Sequence, residues 1–108
     1  MNSMRSAPLQ SDGAVASIAL SWSRSMAERQ SLSHNGGHAS QIRSVRPQAS
    51  ATAENVGYSS QGASHVFSQF AGSPGHRANM ANPAYTHAGV GCAVDGQGKT
   101  WVTINFWG

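Results

Sequence analysis

Charged side chains are scarce in this chain. Asp, Glu, Lys and Arg make up 10% of its 108 residues, well below the usual quarter. The seven Lys and Arg are spread singly from Arg5 to Lys99 with no basic run, which argues against nucleic-acid binding, because tracking phosphates needs clustered cations. Acids are rarer still, four in all, of which only Glu28 and Glu54 are glutamates. Cysteine is nearly missing. Cys92 alone cannot close an internal disulfide, so the fold does not depend on staples, and its alternation with Val90 and Val94 predicts a buried small apolar residue. No apolar run approaches membrane-spanning length. The first residues lack the charged-then-apolar build of a signal peptide, so either the chain does not use that route or its numbering starts after such a segment.

In place of charge the sequence carries Gly, Ser, Ala and Asn, with apolar residues at 39% and five His against four acids. Histidine is the commonest metal ligand and the proton shuttle near neutral pH, so this ratio directs attention to where the imidazoles fall. At this length the chain is expected to form one domain over residues 1–108, able to bury a modest core and to fold alone as a monomer.

Met1 to Gln10, with Ala7-Pro8-Leu9, reads as an extended lead-in. Val15, Ile18, Trp22 and Met26 then recur at 3-and-4 spacing, predicting a helix over Gly13 to Gln30 with Ser11 or Asp12 as N-cap and Gly36-Gly37 beyond its far end. His34 follows directly, placed to meet the helix C-terminal carbonyls. Asn35 to Ala53 is a long polar stretch holding His38, Arg43, Arg46 and Pro47, anchored only by Ile42 and Val45. It reads as a loop over or beside a site. Ala53-Glu54-Asn55-Val56-Gly57-Tyr58 reads as a short strand or extended turn. Its carboxyl group, in a weakly polar and half-buried segment, requires a metal, an imidazole or backbone N–H groups as partner. A second helix is expected over Gly62 to Phe70, with Val66, Phe67 and Phe70 inward, Ser59 or Ser60 as cap, and His65 off the stripe and solvated.

After Asn82-Pro83 the period becomes two. Ala88, Val90, Cys92 and Val94 alternate with Gly89, Gly91 and Ala93. Thr100, Val102, Ile104 and Phe106 alternate with Trp101, Thr103, Asn105 and Trp107. Asp95-Gly96-Gln97-Gly98 between them is a turn signal, so the C-terminal third is a β-hairpin. The glycine face of its first strand leaves room for a helix, or for Trp101 and Trp107, to approach closely. Helices first and paired strands last make an α+β fold.

Ser73-Pro74-Gly75-His76-Arg77-Ala78-Asn79-Met80 starts a further helix, with Ser73 as N-cap and Pro74 in the first turn. His76 therefore lies in the first turn, where exposed N–H groups and the positive helix end disfavour imidazolium. A neutral ring able to ligate a metal or accept a proton is expected there.

Leu32-Ser33-His34-Asn35, Ala53-Glu54-Asn55-Val56-Gly57, Ser73 to Met80, Tyr85-Thr86-His87-Ala88-Gly89-Val90-Gly91 and Trp101-Val102-Thr103-Ile104-Asn105-Phe106, in that order, resemble the CAP superfamily. This is the SCP domain of cysteine-rich secretory, antigen 5 and pathogenesis-related proteins, and the disulfide-free form with Ser-Pro-Gly-His-Arg resembles the bacterial branch. The resemblance implies an α-β-α sandwich around a central antiparallel sheet and a secreted, extracellular protein. It also implies a cleft collecting two His and two Glu. His34, Glu54 and His76 match three of these, with Ser73 and Asn55 as candidate supports. The second Glu has no counterpart, since no acid lies between Glu54 and Asp95.

His34, His76 and Glu54 form a sensible set for Zn²⁺ or another divalent metal, with Glu54 either the third ligand or the partner orienting an imidazole. The family's ligands include sterols, other lipids and cell-surface partners. Three functions follow: a binding module for a metal, a small apolar ligand or a cell-surface partner; a metal-dependent hydrolase, peptidase-like, using the same cleft; and a purely structural His-Glu-His cluster. The missing acid places binding above catalysis.

Overall fold

The computed structural model describes residues 5–108; the first four residues of the lead-in lie outside that range. The elements in order are β1 (Gln10–Ser11), α1 (Gly13–Arg29), α2 (His38–Val45), β2 (Thr52–Ser59), α3 (Ala63–Gly72), α4 (Pro74–Ala81), β3 (His87–Val94) and β4 (Thr100–Trp107). The sheet runs β1-β3-β4-β2. It is antiparallel except for β1, which pairs parallel with β3 at Gln10↔His87 and Ser11↔Ala88. The expected sandwich is therefore present, with one short parallel strand added at its edge.

The two layers follow from alternation along β4, which is buried at every position. Trp101 and Trp107 join the cores under α1: one with Met26 and Val56, the other with Val15, Ile42 and Ala49. Val102, Ile104 and Phe106 point the other way, to Val66 and Phe70 of α3 and Met80 of α4. The α1 layer sits unusually close. A Cβ built at Gly89 would lie 2.2 Å from the Ala16 nitrogen, and one at Gly91 would lie 2.1 Å from the Leu20 nitrogen. These two glycines are thus the seat of the helix, as their alternation predicts.

Asp12 fixes the start of α1. Its side chain caps the Ala14 and Val15 N–H groups, accepts two hydrogen bonds from Arg46 at 2.8 and 2.9 Å, and accepts one from the Trp107 indole at 2.8 Å. Burial alone would raise its pKa, but the bonds from Arg46, Trp107 and the Val15 N–H, with the Arg46 charge, outweigh that and hold the carboxyl below its usual range. At the far end α1 stops at Gln30, which adopts a left-handed conformation with φ of 51°. The glycine pair that the sequence offered as the stop lies further on.

Four expectations are corrected. The stretch from Asn35 to Ala53 is not one loop, because α2 forms within it; Ile42 is buried at the helix interface, whereas Val45 is exposed. Cys92 is exposed. Its strand turns the glycines, not the Val-Cys-Val face, toward α1, and α3 and α4 cover only Ala88 of that second face. Helix α3 begins after Gly62, not at a serine cap. His65 is not simply solvated, since its Nδ1 hydrogen-bonds the Ser59 Oγ at 2.6 Å. In the hairpin turn Gly98 takes φ of 82° and donates its N–H to the Asp95 carbonyl, as the turn signal requires.

Two outcomes test this packing. Gly91→Ala should cost about 3 kcal/mol in urea unfolding, since the backbone of α1 must move, while Gly96→Ala, with open space around it, should change little. Asp12→Ala should cost about 3 kcal/mol, because the Arg46 charge and the Trp107 N–H lose their acceptor. A carboxyl held low when folded contributes stability that is complete above its unfolded value of 3.8 and is lost as pH falls below it. Acid unfolding should therefore be less steep in Asp12→Asn than in the wild type.

Candidate functional site

The cleft is built on the outer strand β2, whose alternation sends neighbouring residues to opposite layers. Glu54 pairs with Asn105 and Asn55 with Ile104, so Glu54 faces the α1 side and Asn55 the α4 side. One step along the chain supplies both walls.

On the α1 side, the segment after the helix returns to β2. The Trp22 indole donates to the Ser33 carbonyl at 2.8 Å, and the Asn35 N–H donates to Glu54 Oε1 at 2.8 Å. Between these ties His34 donates from Nδ1 to the same Oε1 at 3.0 Å. The Glu54 side chain is 1% exposed and that of His34 64%, so the acid is the buried anchor and the imidazole the presented group. Among the described residues the other oxygen, Oε2, is buried with no hydrogen-bond partner, as are both polar atoms of the Asn105 side chain, its register partner. Glu54 is thus held through one oxygen and turns neither toward solvent.

On the α4 side, fully buried Asn55 donates to the His76 carbonyl at 3.1 Å and accepts from Asn79 at 2.9 Å. These bonds fasten the first two turns of α4 to the strand. Ser73 sits at the N-cap, but its hydroxyl makes no bond to a backbone N–H of the helix. It shares a hydrogen bond of 3.0 Å with His76 Nδ1. The His76 ring lies tilted on Phe70 with centroids 4.8 Å apart. Phe70 in turn fills the space left by Gly57, where a Cβ would lie 2.9 Å from that ring. Gly57 is therefore a packing requirement of the site that spacing alone did not reveal. The helix-start argument for a neutral His76 points the same way as its environment: burial first, and the nearby His34 charge second, push its pKa below 6.5.

His34, Glu54, Asn55, Ser73 and His76 line one cavity of about 280 Å³. Beyond Ser73 and His76 it adjoins a groove of about 610 Å³ bounded by Leu32, Val56, Tyr58, His65 and Phe70. Each imidazole uses Nδ1 in the hydrogen bonds just described and keeps Nε2 for other partners. Among the described residues no three His, Cys, Asp or Glu side chains are grouped to hold an ion, and the Glu54 carboxyl is engaged through Oε1 and buried at Oε2. In this geometry Glu54 accepts the His34 Nδ1–H and so holds the ring's orientation.

Residues 2–106 match the Cysteine-rich secretory protein family, CAP, and the chain belongs to that family. Three solved bacterial structures share its fold. An extracellular SCP-domain protein from Bacillus anthracis has 22% identity and a TM-score of 0.79 over 93% of this chain and 33% of that one. An outer surface protein from Borrelia burgdorferi has 15% identity and a TM-score of 0.77 over 92% and 76%. A cysteine-rich secretory protein from Staphylococcus aureus has 21% identity and a TM-score of 0.68 over 93% and 31%. The chain thus spans about a third of the length of two of these proteins. No curated protein matches it. No helix among the described residues is long and apolar enough to cross a membrane.

A histidine whose folded pKa lies below its unfolded value gives stability that is complete above the unfolded value and declines as pH falls through it. Stability should therefore drop on acidification below about pH 6.5, near the unperturbed histidine value, and His76→Gln should flatten that drop. In NMR titrations His76 should titrate below the ordinary range and move up toward it in His34→Ala. An unchanged His76 titration in that variant would separate the two rings.

Proposed function

We propose that this chain is an extracellular binding module of the CAP family, whose cleft takes up a small apolar or cell-surface ligand between His34 and His76. One observation supports this most: two imidazoles from opposite layers share a single cavity, each steadied through Nδ1, while the acid between them is turned inward. That is a recognition surface with two adaptable donor-acceptor groups and apolar walls at hand. A peptidase needs a base near the reacting water, and the buried, engaged Glu54 is a poor one. The structural-cluster reading fits less well, because His76 bonds to Ser73 rather than to Glu54. The extracellular assignment draws on the family and on relatives described as extracellular or outer surface proteins.

The test is NMR of histidine-labelled protein. A short amphipathic probe, decanoate, should shift the His34 and His76 ring signals together and leave His38 and His87 in place, and the His34→Ala/His76→Ala double variant should bind it at least about tenfold more weakly, the equivalent of 1.4 kcal/mol. Shifts that spare both rings would overturn the reading. Titration with Zn²⁺ is the second arm: equal affinity in the wild type and the double variant would remove a metal from the account. Peptide cleavage abolished by Glu54→Ala would favour the peptidase instead.

A further inference from the structure

β2 is an edge strand of eight residues, hydrogen-bonded on one side only, to β4. Which of its backbone groups face outward follows from the register. Ala51 and Gly108 exchange both N–H···O bonds, at 3.1 and 3.0 Å. In an antiparallel pair such exchanges recur at every second residue, so Ala53, Asn55, Gly57 and Ser59 point their N–H and C=O groups at β4. Thr52, Glu54, Val56 and Tyr58 point theirs away. The segment carrying His34 and Asn35 lies against the strand at Glu54. Past it, the outward backbone groups of Val56 and Tyr58 have no hydrogen-bond partner among the described residues.

Natural edge strands are normally blunted by Lys, Pro, a bulge or extreme shortness. Thr-Ala-Glu-Asn-Val-Gly-Tyr-Ser has no Lys, Pro or bulge; its inward charge, Glu54, and the covering His34–Asn35 segment blunt the edge at Glu54 only, and Val56 to Tyr58 carry no such device. The open part runs along the floor of the 610 Å³ groove, whose lining contains Val56 to Ser60 on the strand side and Gln69 and Phe70 on the α3 side. No carboxylate lines that groove. Beside it the Lys99 ammonium lies 5.4 Å from the centre of the Tyr58 ring and 5.3 Å from that of Trp101, and Lys99 makes no ion pair among the described residues.

We infer that the groove receives an extended, acidic peptide segment of a partner protein, which pairs with Val56 and Tyr58 as a fifth strand and places a carboxylate near Lys99. Up to four main-chain hydrogen bonds and about 13 Å of strand, four residues at roughly 3.3 Å each, are on offer. The inference rests on the binding-module reading and names the cell-surface ligand of that reading as a peptide.

The test uses N-acetylated hexapeptides alternating Val or Thr with Asp or Glu, added to ¹⁵N-labelled protein. The Val56 and Tyr58 amides should shift most, and peptides with Lys in place of the acids should bind at least about tenfold more weakly. Tyr58→Pro removes an outward N–H without removing a bond to β4, so it should abolish binding while the β4 amide signals stay in place. Tyr58→Ala, which keeps the N–H, should retain binding. Should the proline variant lose its β4 signals, the same peptides N-methylated at alternate residues take its place, and they should fail to bind the wild type. Shifts confined to the His34 and His76 rings, or no shifts from any peptide, would overturn the inference, the first leaving the cavity reading intact. Binding that survives His34→Ala/His76→Ala would uphold the strand site and count against the two-histidine cleft as the centre of recognition. Concentration-dependent shifts at Val56 and Tyr58 without peptide would identify a second copy as the occupant and overturn the peptide.

Discussion

The close seating of α1 on Gly89 and Gly91 is the constraint from which the rest of the molecule follows. With its backbone within contact of the β3 backbone, the helix has one position over the sheet, and Trp101 and Trp107 fill the spaces beside it. The direction of α1 then determines where its C-terminal segment emerges. Trp22 ties that segment back to α1 through the Ser33 carbonyl, the Asn35 N–H ties it to Glu54 of β2, and His34 arrives at Glu54. Asp12 secures the opposite end by joining the start of α1, the end of α2 and the last strand. The cleft is thus a consequence of how one helix lies, not a separate loop construction.

Much of this was legible in the sequence because it rests on periodicity. The 3-and-4 spacing of Val15 to Met26, the two-residue alternation of the hairpin and the glycine face of β3 each specify one geometry, and the order of the His34, Glu54 and His76 motifs specified the family. What the sequence did not show depends on partners distant in the chain. Arg46 looked like a loop residue because its acceptor is Asp12, and α2 escaped notice because only Ile42 supplies an apolar anchor. The Val90-Cys92-Val94 face looked buried because alternation gives a face but not its direction. Gly57 reads as one glycine among twelve until the Phe70 ring is seen against it. His65 looked idle because the Ser59 hydroxyl that holds it is in a different element.

The cleft itself divides labour between two imidazoles. His34 is exposed and backed by a buried acid; His76 is half-buried, backed by a serine hydroxyl and resting on Phe70. Burial first, and the His34 charge second, favour a neutral His76. The cavity the two imidazoles line adjoins the groove along β2, sharing Ser73 and His76 with it.

The claim on which this account turns is that Glu54 fixes His34 through Nδ1 and leaves Nε2 to the cavity. The ring ¹⁵N shifts of His34 above its titration midpoint test it most directly. The wild type should show the Nδ1–H tautomer, reverting in Glu54→Gln toward the Nε2–H form that unconstrained histidine prefers. An Nε2–H tautomer in the folded wild-type protein would contradict it.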